Sequence, residues 1–206
     1  KNLSFSNNSE IIFKPFLDIN SKFEIEDINE NFFHKLQVDK LLMYKNILKQ
    51  LNTQNEINFY SKKFNRNLID RLNIKFDLAY GRLNFLKNFF ISDNFFQCEG
   101  SVNLLEEYPI LFFDCSIKSD NKKNLLKKFN INLKKNNETF NISVRGNLSV
   151  INNKINFKNI LVNQNYEASN ADLKFFKETF ESILFDESFI EIFNLNKIKR
   201  FILEVS

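Results

Sequence analysis

The stretch FNISVRGNLSVINNKINFKNIL, residues 140–161, carries the pattern that decides the fold. In its first half every second residue is apolar except at Gly146, and the residues between them are Asn, Ser or Arg. The apolar positions are Phe140, Ile142, Val144, Leu148 and Val150. After Asn152-Asn153 the alternation resumes at Ile155 and Phe157. Because successive side chains of a strand point to opposite faces, this pattern predicts a hairpin with one apolar and one polar face.

The same alternation recurs along the chain and predicts several more strands. A half-exposed strand is predicted at Leu17 to Ile25, and turn-forming residues separate the later strands at spacings typical of an antiparallel meander. The other predicted strands lie at Ile57–Tyr60, Leu72–Leu78, Leu83–Ile91, Phe95–Leu105 and Ile110–Ile117, around Ile131 and Leu133, and in the hairpin at 140–161.

Other segments follow a helical period. An amphipathic helix is predicted from about Glu30 to Leu51, with its apolar face at Phe33, Leu36, Met43, Ile47 and Leu51. The segment from Asn121 to Phe129 is predicted as a short helix or a lysine-rich loop.

The last forty residues predict a helical pair. Ser169 and Asp172 have the spacing of an N-terminal cap, in which each side chain satisfies a backbone N–H of the first helical turn. Ser188 and Glu191 repeat that spacing, and apolar residues trace one helical face after each cap. Two such faces must be buried, and the nearest surface for them is one end of the sheet.

These patterns together predict a strand-dominated α+β fold. It consists of a curved antiparallel β-sheet, arranged as a groove-like meander, with one long helix near the N-terminus and a C-terminal helical pair. We expect a single domain over residues 1–206, with the sheet at about 56–162 and the C-terminal helices at about 169–204, because no Gly/Ser-rich or Pro-rich linker interrupts the chain.

Composition narrows the class of protein. Of the 206 residues 43% are hydrophobic, which argues against intrinsic disorder, and 26 are Phe, a bias that an A/T-rich genome explains in part. The net charge of +4 comes from scattered lysines rather than a concentrated basic face, so we expect no nucleic-acid partner. No apolar run reaches the ~20 residues of a membrane span, and a chain that starts at Lys1 is expected to be an excerpt.

The residue types that carry catalysis or bind metals are sparse. His34 is the one histidine, and the acidic stretch at Glu24, Glu26, Asp27 and Glu30 lacks calcium-loop spacing. The pair Glu106-Glu107 is interpreted most simply as part of a turn, although paired carboxylates can also do acid–base chemistry. We therefore expect no enzyme, no metal site and no cofactor.

Two cysteines occur, Cys98 and Cys115. They have no metal or redox motif around them. They could pair across adjacent strands, but we favour two buried, reduced thiols.

The segment from Val144 to Phe157, continued through Tyr166-Glu167-Ala168-Ser169 to Ile202, resembles the C-terminal region of AsmA-like proteins from A/T-rich alphaproteobacteria. The pieces Gly81–Phe85 and Glu99–Val102 are similar to strand starts of that region, and the resemblance covers roughly Leu68 to Ser206. It implies an AsmA/TamB-type envelope protein, located in the periplasm and tethered to the inner membrane by an anchor outside this chain. It carries over no catalytic residue.

The resemblance implies a β-groove that carries phospholipid between the inner and outer membranes, with phospholipid acyl chains, and other envelope proteins, as partners. The expected lipid-lining residues are Leu72, Ile74, Phe76, Leu78, Ile142, Val144, Leu148, Val150, Ile155 and Phe157. Alternation alone does not separate such a lining from an ordinary core beneath the helices. The alternative function is therefore a structural or protein-interaction module of the envelope with a closed core.

Overall fold

The computed structural model describes residues 5–13, 17–26, 42–61, 69–92, 94–129, 131, 139–184, 197, 200–201 and 204. Ten strands form one curved sheet that does not close, and their spatial order is their order in the sequence. The strands are β1 (Phe5–Ile12), β2 (Leu17–Ile25), β3 (Leu51–Tyr60), β4 (Arg71–Ala79), β5 (Arg82–Ile91), β6 (Asn94–Asn103), β7 (Ile110–Ser119), β8 (Phe140–Ser149), β9 (Lys154–Val162) and β10 (Tyr166–Glu167). The predicted strand-dominated α+β class is confirmed.

Three helices accompany the sheet in the described ranges: α1 (Lys45–Leu48), α2 (Lys122–Lys128) and α3 (Asn170–Leu184). The longest, α3, begins with the predicted cap. The Ser169 N–H donates to a carboxylate oxygen of Asp172 at 2.9 Å, and the Asp172 N–H donates to the Ser169 hydroxyl at 3.3 Å. The helix therefore starts where two otherwise unpaired backbone N–H groups are satisfied. The second predicted C-terminal helix, from Ser188, starts outside the described residues.

One strand pair departs from the predicted antiparallel meander. β2 pairs with β3 in parallel, so the sheet is mixed, and the expectation of a wholly antiparallel sheet is wrong at this pair. Parallel neighbours need a crossover of about a dozen residues or more, whereas a hairpin joins antiparallel ones. The connection through residues 26–50 is long enough for that crossover. The sheet also starts at β1 and β2, well before the predicted limit of about residue 56.

The predicted helix near the N-terminus is only partly tested. Residues 27–41, with Phe33 and Leu36, lie outside the described ranges, but the predicted end at Leu51 is wrong because that residue begins β3. Two residues of the predicted apolar face are solvent-exposed, Met43 and Ile47, whereas Leu48 is buried. The helical segment therefore packs on the sheet through a different face from the one that the apolar periodicity predicts.

Other predicted elements differ less. α2 confirms the helical alternative for the segment at 121–129, and β3 is longer than the strand predicted at Ile57–Tyr60. The strand predicted around Ile131 is wrong at that residue, whose N–H donates to the Leu126 carbonyl at 3.0 Å and so continues the end of α2. Its companion Leu133 lies outside the described residues. β1 and β10 were not predicted.

The register gives the sheet two chemically different faces. Directly paired residues lie on the same face, so the pairs Leu72–Phe89, Phe96–Ile117 and Leu148–Ile155 place the apolar positions of neighbouring strands together. We call this the inner face. The outer face carries the intervening residues, for example Asn73 and Asn88, which pair with each other.

Phenylalanines that fall on the outer face are partly covered by cations. The Arg71 guanidinium lies 4.0 Å from the ring centroid of Phe90, and the Lys158 ammonium lies 5.6 Å from that of Phe112. Such contacts stabilise aromatic rings at a surface without a core. Phe richness alone is therefore a poor guide to the buried side of this sheet.

Two glycines make room for aromatic rings on the inner face. Gly100 pairs with Phe85 on β5 and with Phe113 on β7, and Gly146 pairs with Phe113 and with Phe157 on β9. A Cβ added at Gly100 would lie 2.6 Å from the Phe85 ring, and one at Gly146 would lie 2.6 Å from the Phe113 ring. Each ring thus lies over the backbone of a neighbouring strand, an arrangement that a larger residue would exclude.

Candidate functional site

Helices cover two parts of the inner face. Near one end of the central strands, Leu48 of α1 packs with Leu78, Val102 and Leu104, all of which are buried. The Lys45 ammonium donates to the Glu106 carbonyl at 2.7 Å and ties α1 to the loop between β6 and β7. These four residues form the first buried cluster, which covers that end of the inner face.

The second cluster lies beneath α3. Leu148, Ile155, Phe157 and Ile160 are buried there, and Leu173, Phe176 and Phe180 of the helix pack against them. The Phe157 and Phe180 rings meet edge to face at 5.5 Å between centroids, and Phe157 makes a similar contact with Phe113 at 6.3 Å. The helix therefore rests on β8 and β9 through interlocked rings.

Outside these clusters part of the inner face is half-buried, whereas Phe59, Leu72 and Ile91 of the same face are buried. The half-buried residues involved belong to β4–β7 and to neither cluster, and we call them the central strip: Ile74, Phe76, Phe85, Lys87, Phe89, Phe96 and Ile117. Within it the Phe89 and Phe96 rings stack with centroids 4.5 Å apart. The central strip therefore presents partly accessible aromatic and aliphatic surface in the middle of the sheet.

The ten predicted lipid-lining residues fall on both kinds of surface. The nine that lie within strands share the inner face, and Val150 follows directly after β8. Five are buried, Leu72, Leu78, Leu148, Ile155 and Phe157. The other five are half-buried, Ile74, Phe76, Ile142, Val144 and Val150. Sequence alternation thus selects the face but does not separate its covered part from its accessible part.

Lys87 is the residue of this face that sequence reasoning missed. It lies sixth in the ten residues of β5 and pairs with Ile74 on one side and Cys98 on the other. Its ammonium lies 5.1 Å from the centroid of the Phe89 ring. Burial lowers the pKa of Lys87 from 10.5 to about 8. A lysine in place of an apolar residue within the alternation, between Phe85 and Phe89, is the signal that could have identified it.

We expect Lys87→Met to raise the free energy of unfolding at pH 7 by about 1 to 3 kcal/mol. A lowered lysine pKa means that burying the ammonium costs free energy, and partial access to solvent reduces that cost. Between the folded pKa of about 8 and 10.5 the unfolded chain binds the extra proton, so wild-type stability rises with pH through that window. The difference in free energy of unfolding between Lys87→Met and the wild-type protein, measured in urea, should therefore shrink from pH 8 to 10.5. An unchanged difference at pH 10.5 would contradict this explanation.

Lys118→Met is the matched control, because Lys118 lies exposed on the outer face of β7. Its effect on the free energy of unfolding should stay within about 0.5 kcal/mol.

A disulfide lies beside Lys87. Cys98 and Cys115 are directly paired on β6 and β7, their Cα atoms are 4.0 Å apart, and their sulfur atoms are bonded. The expectation of two reduced thiols is therefore wrong. The register brings the cysteines face to face, which their separation of 17 residues in the sequence did not reveal.

The other chemical candidates do not converge on one place. Glu106 and Glu107 are exposed in the loop after β6, where the Asn103 side-chain amide donates to the Glu106 carboxylate at 3.3 Å. His34, Asp27 and Glu30 lie outside the described residues. Glu24 contacts Lys22 at 3.8 Å on the outer face of β2. Within the described ranges no group of His, Cys, Asp and Glu residues is arranged to hold a metal ion.

Among the described residues, no helix combines the length and the apolar character that crossing a membrane requires. Comparisons with protein-family models, with curated proteins and with solved structures found no match. The resemblance to AsmA-like proteins therefore stays a prediction.

Proposed function

We propose that this chain is a non-enzymatic segment of an envelope-biogenesis protein whose inner face binds phospholipid acyl chains during transport between the inner and outer membranes. The observation that carries the proposal is the central strip. It joins aromatic and aliphatic side chains of four neighbouring strands on one continuous, half-buried surface.

The chemistry of acyl chains suits such a surface. Each methylene removed from water contributes about 0.8 kcal/mol, so a few acyl carbons suffice for binding without a polar pocket. The proposed binding surface consists of Ile74 and Phe76, the half-buried residues of the predicted lining that belong to neither cluster, together with Phe85, Phe89 and Phe96. Of the buried residues of the predicted lining, Leu78 packs beneath α1, and Leu148, Ile155 and Phe157 pack beneath α3.

The Cys98–Cys115 disulfide supports a location outside the reducing cytoplasm. Disulfides form and persist in oxidising compartments, of which the bacterial periplasm is one. We therefore propose the periplasm, with tethering to the inner membrane through an anchor outside this chain, as the AsmA-like resemblance implies.

The second candidate function is a structural or protein-interaction module with a closed core. The two buried clusters favour it, because half of the predicted lining is covered by the chain's own residues. The two candidates differ in one measurable property. A lipid-binding sheet holds acyl chains, whereas a closed module does not.

The test exposes purified, delipidated protein to phosphatidylethanolamine and phosphatidylglycerol vesicles, removes the vesicles and records native mass spectra. We expect a population with bound phospholipid. Phe89→Gln should reduce that population about tenfold or more, because it removes one aromatic contact of the central strip. A mass spectrum of lipid-free protein alone would contradict the proposal and favour the closed module.

Phe90→Gln supplies the matched control. Phe90 is the next residue of β5, is half-buried as Phe89 is, and lies on the outer face against Arg71. This variant should retain bound lipid at the wild-type level. Equal losses in both variants would mean that the central strip is not the binding surface. Circular dichroism establishes that both variants fold.

A further inference from the structure

β1 forms one edge of the sheet. Within the described part of the chain it pairs with β2 on one side and with no strand on the other. All eight of its residues are exposed, whereas every other strand of more than two residues has buried or half-buried positions. An open edge presents a row of backbone N–H and C=O groups, which is a template for pairing with a further strand. β1 contains no Pro and no Lys, the residues that commonly protect such edges.

The opposite edge of the sheet is occupied by the chain itself. β10 lies along the end of β9, and just beyond it the Ala168 N–H donates to the Ile160 carbonyl at 2.9 Å. Near the start of β9 the Ile155 N–H donates to the Glu181 carboxylate of α3 at 3.0 Å. A copy of the chain added head to tail would need these groups of β9. The two edges therefore favour an association that uses β1 of both copies and closes at two.

We propose that β1 of one copy pairs antiparallel with β1 of a second copy about a two-fold axis at Asn8, which joins the two sheets into one. The inference goes beyond the proposed function and does not depend on it. When the axis is perpendicular to the sheet, the inner faces of both copies lie on the same side. The directly opposed residues of the two copies are then Phe5 with Ile11, Asn7 with Ser9, and Ser6 with Glu10.

This register matches the chemistry of the opposed side chains. On the inner face Phe5 is 54% exposed and Ile11 is 50% exposed, and the pairing covers each of these apolar residues with the other, once on either side of the axis. The remaining pairs oppose polar groups that can form hydrogen bonds with each other. The strand is thus complementary to itself when it is turned end for end.

The one charge of β1, on Glu10, selects this register over its neighbours. An axis at Glu10 would oppose two carboxylates directly, and an axis at Ser9 would place them two positions apart, about 7 Å along the strands. An axis at Asn8 separates them by about 13 Å, which exceeds the screening length of about 8 Å at physiological salt. The pairing centred on Asn8 therefore carries the least repulsion.

The experiment measures the mass of the disulfide-bonded protein by sedimentation equilibrium over a range of concentrations. We expect a reversible equilibrium between monomer and dimer, with no larger species. Asn8→Glu should raise the Kd of the dimer about tenfold or more, because it opposes two carboxylates at the axis. Within one copy the new carboxylate faces Lys22 of β2, so the pairing of β1 with β2 is kept. Added salt should restore part of the affinity by screening the repulsion.

Asn156→Glu is the matched control. Asn156 is, like Asn8, an exposed asparagine of the outer face, but it lies on β9 near the opposite edge. This variant should dimerise as the wild-type protein does. Asn8→Gln keeps a neutral amide at the axis and should also dimerise. Circular dichroism establishes that all three variants fold.

A cysteine at the axis locates the contact. Directly opposed residues of an antiparallel pair have Cα atoms about 4.5 to 5.5 Å apart, a distance that a disulfide spans. Mild oxidation should therefore link two copies of the Asn8→Cys variant, identified by mass spectrometry of the linked peptides, and should leave Asn156→Cys unlinked.

A protein that stays monomeric at every concentration overturns the inference, as does a dimer that Asn8→Glu leaves unchanged. Equal weakening by Asn156→Glu, or growth beyond two copies, overturns it too, because the contact would then involve β9.

Discussion

We expect Phe157→Ala to lower the free energy of unfolding by about 3 to 5 kcal/mol, because truncating a buried aromatic side chain removes its burial and leaves a cavity. Phe157 is 9% exposed and lies where β9 meets α3. Its ring contacts Phe113 and Phe180 edge to face, and Phe180 makes the same kind of contact with Phe201 at 5.4 Å. The substitution should also expose the α3 amides to faster hydrogen exchange than those of β4 and β5. Urea unfolding and amide exchange measure the two effects.

Phe112→Ala is the matched control for that substitution. Phe112 lies on β7, on the outer face, and its side chain is 50% exposed. Its truncation should cost less than about 1 kcal/mol, the span of strand propensities. Similar losses for both variants would mean that the contacts beneath α3 do not hold the helix on the sheet.

We expect loss of the Cys98–Cys115 bond to lower stability by about 3 kcal/mol, because the bond closes a loop of 17 residues that the unfolded chain would otherwise explore freely. The antiparallel pairing of β6 with β7 remains available without the bond, so the fold should persist with a lower urea midpoint.

The measurement compares unfolding of the wild-type protein with and without dithiothreitol. The double variant Cys98→Ser, Cys115→Ser is the control, and its midpoint should match that of the reduced protein and be insensitive to the reductant. A wild-type midpoint that dithiothreitol does not change would show that the bond adds nothing to stability.

Strands whose apolar and polar residues alternate regularly could be located from the sequence. The hairpin at 140–161, β2, and β4 to β7 were predicted close to their observed bounds, because alternation identified the hairpin, β2 and β4, and turn-forming residues marked the ends of β5 to β7. β1 was missed because its inner-face positions include Asn7 and Ser9, which break the apolar alternation. β10 is two residues long and has no detectable period.

The candidate site was predictable only in part. Alternation placed all the strand residues of the predicted lining on one face, because the side-chain period of a strand is two. It gave no information on where α1 and α3 would lie, and therefore none on which of those residues would be buried. Contacts between segments distant in the sequence decide that, as does the pairing of Cys98 with Cys115.

The sequential order of the strands has a consequence for how the chain folds. Each strand pairs with the one that directly precedes it, so most of the loops closed on folding are short; the exceptions are the β2–β3 crossover and the β7–β8 connection, which contains α2. Short loops keep the contact order low, and low contact order is associated with rapid folding. The sheet from β3 onward can thus grow one hairpin at a time from the β3 side as the chain leaves the ribosome or a translocation channel.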